Sequence, residues 1–161
     1  MILADDLRDE LARMIMKMKN LVRRYETLSR RFHPRVDVLE KILALLQKAR
    51  RDDEPGSLGD AVGLAGANWR KVFPMITTRV GNAPNVWEST LLAMMREEGE
   101  DIPPPTGPDK GPLAFLFDGR ATSRQRKVWE KFNRLQDYSS AVLLDFKDLM
   151  RGVQKLEGKV S

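Results

Sequence analysis

The 161-residue sequence contains no cysteine and a single histidine, His33. The lack of cysteine excludes disulfide bonds, thiolate metal sites and a thiol nucleophile. With one histidine and no cysteine, the common zinc ligand sets are excluded as well. His33 lies between Phe32 and Pro34 at a predicted helix end, so we interpret it as a helix-terminal imidazole and not as a catalytic base.

Long apolar runs are also missing. No stretch approaches the ~18 consecutive apolar residues of a membrane-spanning helix. The first ten residues, MILADDLRDE, lack the basic start and apolar segment of a signal peptide. Together with the missing cysteine, these features predict a cytoplasmic protein without a membrane partner.

Signatures of catalysis are absent too. The sequence has no phosphate-binding glycine motif. Its most acidic run, residues 97–101, lacks the ligand spacing and the glycine of a calcium loop. We therefore expect a protein that is not an enzyme, with no catalytic residues, no metal and no cofactor.

The feature that the sequence does have is segregated positive charge. Its 28 lysines and arginines exceed its 23 acids, which gives a net charge of +5. Residues 17–35 contain seven of these cations and only one acid, and residues 112–136 are also basic, whereas residues 84–111 are acidic. Segregation of this kind creates local positive fields that favour phosphates or acidic protein surfaces.

The first basic segment lies on a predicted helix over residues 5–32. Apolar residues recur there in alternating steps of four and three, which is a heptad pattern, at Leu7, Leu11, Met14, Met18, Leu21, Tyr25, Leu28 and Phe32. At about 100° per residue, five cations share a sector of roughly 140°. These cations are Lys19, Arg23, Arg24, Arg30 and Arg31. We predict one face for a hydrophobic core and the other for a polyanion.

A second heptad helix is predicted over residues 122–156, where Thr122 and Gln125 form a capping pattern. Only Ser139 is polar among its seam residues, which are Val128, Phe132, Leu135, Ser139, Val142, Phe146, Leu149, Val153 and Leu156. Three or four shorter helices are expected between the long ones, beginning near Asp37, Ser57, Asn68 and Asn85. Asp37 and Glu40 are expected to form a capping box for the first of them. An irregular loop is expected at 99–112. The predicted fold is a single all-α domain, a bundle built on two long helices. The alternative is that one seam binds another subunit.

Residues 57–75 have two possible interpretations. As a helix-turn-helix, Ala65-Gly66-Ala67 would form the turn, and the exposed start of a recognition helix would present Asn68, Trp69, Arg70 and Lys71. As a helical corner, the same segment would bury Trp69 and Phe73.

The same segment is similar to part of a known family. Ser57-Leu-Gly-Asp-Ala61, followed by Ala65-Gly66 and by Arg70-Lys71-Val-Phe73, resembles the small helical subunit of the CRISPR type I-E surveillance complex, Cascade. The resemblance implies an all-α, non-catalytic subunit in antiviral defence, which lines a nucleoprotein filament and supports displaced single-stranded DNA. Arg70 and Lys71 are the positions that it matches to the family's basic side chains.

The sequence thus predicts a non-enzymatic helical subunit that binds the nucleic-acid backbone within a larger assembly. Its partners would be single-stranded or duplex nucleic acid and other protein subunits, with a homo-oligomer as one option. The alternatives are a helix-turn-helix regulator of DNA and a phage or secretion assembly protein whose basic faces contact acidic proteins. Trp69 and Trp129 are the candidates for base stacking. The predicted binding residues are Arg23, Arg24, Arg30, Arg31, Arg35, Arg70, Lys71, Arg124, Arg126, Lys127 and Lys131.

Overall fold

The computed structural model describes residues 3–27, 35–73, 86–104, 111 and 113–160. All regular secondary structure in these residues is helical, so the predicted all-α class is confirmed. The helices are α1 (Asp5–Glu26), α2 (Val36–Arg51), α3 (Gly56–Val72), α4 (Val86–Glu97) and α5 (Ser123–Val160), with a 3₁₀ turn at Ala114–Leu116 before α5.

The chain divides into two compact units. The first unit comprises Met1–Phe73 and Ser140–Ser161, and the second comprises Pro74–Ser139. Helix α5 contributes its first part to the second unit and the remainder to the first unit. The expectation of a single domain stays a prediction, because this division does not test whether either unit folds alone.

In the first unit, four helices alternate in direction. Helices α2 and α3 are joined by only four residues, 52–55, so they run antiparallel. Helix α1 is antiparallel to α2, because Arg8 near its start pairs with Asp53 just after α2, and Tyr25 near its end bonds to Arg35 just before α2. The unit is therefore an α-helical bundle whose chain direction reverses at each of these connections.

Three contacts spaced along α1 and α5 show the relative direction of the two helices. Arg24 pairs with Asp145, a Cβ on Gly152 would lie 3.2 Å from Met14 Cε, and Lys159 Nζ lies 3.5 Å from a carboxylate oxygen of Glu10. The residue numbers fall on α1 as they rise on α5, so the two helices are antiparallel. The small Gly152 lets the two helices approach closely at this level.

The heptad residues of both long helices belong to one hydrophobic core in this unit. Buried residues of α1, α2 and α3 cluster with Val142, Phe146, Leu149, Val153 and Leu156 of α5. Phe73 packs at the centre, with its ring 5.7 Å from the rings of both Tyr25 and Phe146. The prediction that the seams are buried within one chain is confirmed for these residues.

The second unit consists of α4, the 3₁₀ turn and the first part of α5. The predicted cap of α5 is confirmed, since Thr122 and Gln125 exchange backbone-to-side-chain hydrogen bonds of 2.9 and 3.1 Å. Gln125 also donates to the Asp101 carbonyl at 2.7 Å, and Arg120 donates to the Pro104 carbonyl at 3.1 Å. Residues 98–104 are irregular, as predicted for the start of the 99–112 loop, and residues 105–110 lie outside the described part.

Three predicted boundaries were wrong. Helix α1 ends at Glu26 and not at Phe32, and residues 28–34 lie outside the described part. Helix α5 continues to Val160, beyond the predicted end at Leu156. The predicted capping box of α2 does not form: the helix begins at Val36 without a side-chain cap. The Asp37 carboxylate instead accepts two hydrogen bonds from Arg35, and a charged, bidentate guanidinium is a stronger donor than a backbone N–H.

The predicted break at Gly66 was also wrong, because α3 is one helix from Gly56 to Val72. A glycine within a helix costs only about 1 kcal/mol relative to alanine. Leu58, Ala61 and Ala65 are buried on the same side of α3, and this burial outweighs the glycine penalty. The helix ends at Val72, and its C-cap Phe73 has an extended φ of −121° directly before Pro74, as the steric effect of proline on its predecessor favours.

Candidate nucleic-acid interface

Helix α1 presents exposed polar and basic side chains on one side, with the exposed Met16 among them. We define the α1 basic face as Arg13, Lys17, Lys19, Asn20 and Arg23, all of which are exposed. The opposite side of the helix is buried in the core, so this face points outward. No acidic residue occurs between Leu11 and Tyr25, and the positive charge of this stretch is therefore not offset within the helix.

The dimensions of this face suit a phosphate backbone. Arg13 and Arg23 are ten residues apart, which corresponds to about 15 Å along the helix axis. Duplex DNA carries a phosphate on each strand every ~3.4 Å of its axis, so the face is long enough for several phosphates. Cations near the C-terminal end of α1, such as Arg23, are also stabilised by the helix dipole.

Two of the predicted binding residues near α1 have carboxylate partners. Arg24 is half-buried and pairs with Asp145 of α5. Arg35 forms two hydrogen bonds to Asp37, at 3.1 and 3.2 Å. These hydrogen bonds raise the pKa of Arg35 and lower the pKa of Asp37. Both arginines must lose or share a carboxylate before they bind phosphate. The predicted residues Arg30 and Arg31 lie outside the described part.

The predicted residues of α3, Arg70 and Lys71, are exposed in its last turn. They do not lie at the start of a recognition helix, because α3 has no turn at Gly66. The helix-turn-helix interpretation of this segment is therefore wrong. The helical-corner interpretation is right about burial of Phe73, whereas Trp69 is only half-buried.

Trp69 is contacted by two cations. The guanidinium carbon of Arg70 lies 5.3 Å from the ring centroid, and Lys147 Nζ of α5 lies 4.6 Å from it. Both distances fall within the ~6 Å range of cation–π attraction. The segment thus contributes an aromatic ring within a positively charged environment.

The predicted cations of α5 in the second unit are all exposed. Arg124, Lys127 and Lys131 follow one another at helical spacing and share a face, whereas Arg126 does not. Arg124 pairs with Glu100 at 3.2 Å, and Glu98 and Glu100 line the same groove as these cations. Carboxylates therefore lie beside these cations, just as Asp145 and Asp148 of α5 share a groove with Lys17 and Asn20 of the α1 basic face. The α1 basic face differs in that its own helix has no acid between Leu11 and Tyr25.

Sequence reasoning missed five residues of these surfaces, which are Arg13, Lys17 and Asn20 of the α1 basic face and Lys147 and Arg151 of α5. Arg13 precedes the charge block, although its helical spacing to Lys17 places it on the same face. Lys147 and Arg151 are four residues apart on α5, and both line a groove beside α3. Their proximity to Trp69 depends on helix packing, and no local sequence signal gives it.

The described residues offer little for other chemistries. No group of three or more His, Cys, Asp or Glu residues in the described ranges is placed to hold a metal ion, and His33 lies outside these ranges. None of the helices described here is both long enough and apolar enough to cross a membrane.

Comparison of the chain with protein-family models, with curated proteins and with solved structures finds no match in any of the three.

Proposed function

We propose that this protein is a non-enzymatic helical subunit that binds the nucleic-acid backbone through the α1 basic face, within a larger assembly in the cytoplasm. The observation that supports this proposal most strongly is the exposure of Arg13, Lys17, Lys19 and Arg23 on a single outward face without a neighbouring acid on the helix. Lysine and arginine on such a face bind phosphates and release condensed counterions, which favours binding independently of sequence.

The resemblance of residues 57–75 to the Cascade small subunit extends this proposal to a CRISPR effector complex in antiviral defence. In that role, the exposed Arg70 and Lys71 would contact nucleic acid together with the α1 basic face. Binding to other subunits would be tested by the mass of complexes that form with candidate partner proteins. The chain alone should be measured in parallel by light scattering, because self-association would indicate a homo-oligomer.

The central experiment removes the charge of the α1 basic face. In the face variant, Arg13, Lys17, Lys19 and Arg23 are replaced by glutamine, which keeps helix propensity and part of the aliphatic stem while removing the charge. Each lost phosphate contact should lower the slope of log K against log salt by about 0.9 for duplex and about 0.7 for single strands. The four changes should therefore flatten the slope by up to about 3.6 for duplex and about 2.8 for single strands. Fluorescence anisotropy of labelled DNA and RNA over a sodium chloride series measures this effect.

A matched control variant separates the face from net charge. It replaces the four exposed cations Lys41, Arg50, Arg134 and Lys155 by glutamine, which changes the net charge by the same amount. The control should keep most of the affinity and most of the salt slope, and both variants should melt at the parental temperature. Equal weakening of both variants would refute a specific role of the face. The absence of parental binding at low salt would refute nucleic-acid binding and favour contact with acidic protein surfaces.

A further inference from the structure

A groove of about 280 Å³ runs between α3 and α5 within the first unit. Small or apolar side chains form its floor: Val62, Ala65 and Gly66 from α3, and Phe146 and Met150 from α5. Polar side chains of α5 line it further, and Trp69 supplies an aromatic ring. The groove thus combines an apolar floor, a half-exposed indole and a polar border.

The charge along the groove is positive. Lys147 and Arg151 line it, and Arg70 reaches the Trp69 ring from α3. No carboxylate is found among the described residues that line the groove. The acid next to them on α5, Asp148, pairs with Arg151 at 3.0 Å, and both side chains are about two-thirds exposed. An anionic ligand with a flat apolar part matches this combination of ring and cations.

We infer that this groove binds an unpaired nucleobase of a single-stranded nucleic acid, stacked on Trp69, with the flanking phosphates bound by Arg70 and Lys147. The inference rests on the proposed function and adds a second contact to the α1 basic face. A base within a duplex is already stacked on both sides, so only an unpaired base offers a face to the indole. A carboxylate of an acidic peptide would use the cations alone and leave the ring without a partner.

The contacts of both Arg70 and Lys147 with the Trp69 ring must be exchanged for this binding. An exposed cation–π contact is equivalent to a factor of about two to five in an equilibrium constant. Stacking of one base on an aromatic side chain is equivalent to a factor of about 5 to 150. A stacking factor above about 25 outweighs the loss of both cation contacts, and the released cations are then available to phosphates.

The test compares oligonucleotides of equal charge. A ten-nucleotide single strand and the same backbone with abasic sites in its centre carry the same number of phosphates. The parent should bind the intact strand about 5 to 150 times more tightly than the abasic strand, because only the intact strand stacks. Trp69→Leu should reduce this ratio to near one, whereas Trp69→Tyr should keep part of it. Tyr138→Leu, in the second unit, is the matched control, because it removes a partly exposed aromatic ring outside the groove, and it should leave the ratio unchanged.

The outcomes distinguish this inference from the proposed function. The face variant should weaken binding to both strands but keep the ratio between them, since its substitutions lie outside the groove. A parent that binds intact and abasic strands equally would overturn the groove assignment while the backbone proposal stands. A parent that binds neither strand at low salt would overturn both. If Trp69→Leu does not fold, the affinity ratios of the parent and of Trp69→Tyr still test the inference. Parallel strands of DNA and RNA show which sugar is preferred.

Discussion

Replacing Tyr25 by phenylalanine removes one hydroxyl group that connects three helix ends. This hydroxyl donates a hydrogen bond of 2.7 Å to the Val72 carbonyl in the last turn of α3. It also accepts a bond of 3.2 Å from the backbone N–H of Arg35, directly before α2. The side chain is fully buried, and its ring packs edge-on against Phe73. The substitution keeps the ring and removes only the hydrogen bonds.

The expected loss of stability follows from the polar groups that lose their hydrogen-bond partner. Because the buried Val72 carbonyl would lose its side-chain donor, Tyr25→Phe should lower the free energy of unfolding by about 1–3 kcal/mol. For a chain of this size, each kcal/mol corresponds to roughly 2–4 °C in the melting temperature. Thermal and urea unfolding followed by circular dichroism measure both quantities. Tyr138→Phe is the matched control, because Tyr138 is 37% exposed. It should change stability little.

The same hydroxyl gives the substitution a dependence on pH. Burial raises the pKa of Tyr25 from 10.0 to about 12. A tyrosine in the unfolded chain ionises first, so the stabilisation from the protonated hydroxyl is complete below pH 10 and declines as the pH rises towards 12. The difference between parent and Tyr25→Phe should shrink over this range. A difference that stays constant from pH 9 to 12, or a Tyr25→Phe variant as stable as the parent at pH 7, would refute this account.

Two further substitutions, each with a comparison variant, test the continuity of α3 and the burial of the core. Gly66→Ala should stabilise the protein by about 0.4–1 kcal/mol, because Gly66 is helical and a Cβ would meet no atom within 4 Å. Gly99→Ala should destabilise the protein, because Gly99 has a φ of +75°. Urea titration should therefore give changes in the free energy of unfolding of opposite sign for the two variants. If Gly66 lay in a turn, both variants would be destabilised. Phe146→Ala should cost about 3–5 kcal/mol by leaving a cavity beside Phe73, whereas Leu144→Ala, at an exposed site, should cost little. A Phe146→Ala variant that melts with the parent would disprove burial of the α5 seam.

Periodicity predicted the long helices because burial itself is periodic. Eight of the nine predicted seam residues of α5 are buried, and Leu135 alone is half-buried. Ser139, the single polar residue of this seam, is only 1% exposed. The pattern therefore identified the buried side of α5 even where the residue was polar. Such patterns are readable from sequence because a helix places every third or fourth residue on one side.

Local signals were less reliable where two of them competed. Gly66 indicated a break, yet the buried alanines around it favoured a helix, and burial decided the outcome. Asp37 indicated a cap, yet the neighbouring Arg35 provided a stronger partner for its carboxylate. In both cases, the sequence contained each signal but not the relative energies, which depend on the contacts made in the folded chain.

The sequence could predict site residues that lie on one helix, but not contacts between residues of different helices. The α1 basic face follows from spacing along a single helix, and the prediction identified Lys19 and Arg23 of it. The ion pair of Arg24 with Asp145 joins residues 121 positions apart, and Lys147 reaches Trp69 from another helix. Contacts of this range depend on the packing of α1 and α3 against α5, and no local pattern in the sequence indicates them.

Fewer cations are available to bind phosphate than the sequence contains, because some of them are paired with carboxylates. Of the predicted cations that the structure describes, Arg24, Arg35 and Arg124 each pair with a carboxylate. A cation that already has a carboxylate partner must give it up before it binds phosphate, so it adds less to binding than an unpaired one. The cations of the α1 basic face lie on a stretch without acids, and they should therefore dominate the salt dependence. The number of basic residues in the sequence overestimates the number of phosphates that the protein can neutralise.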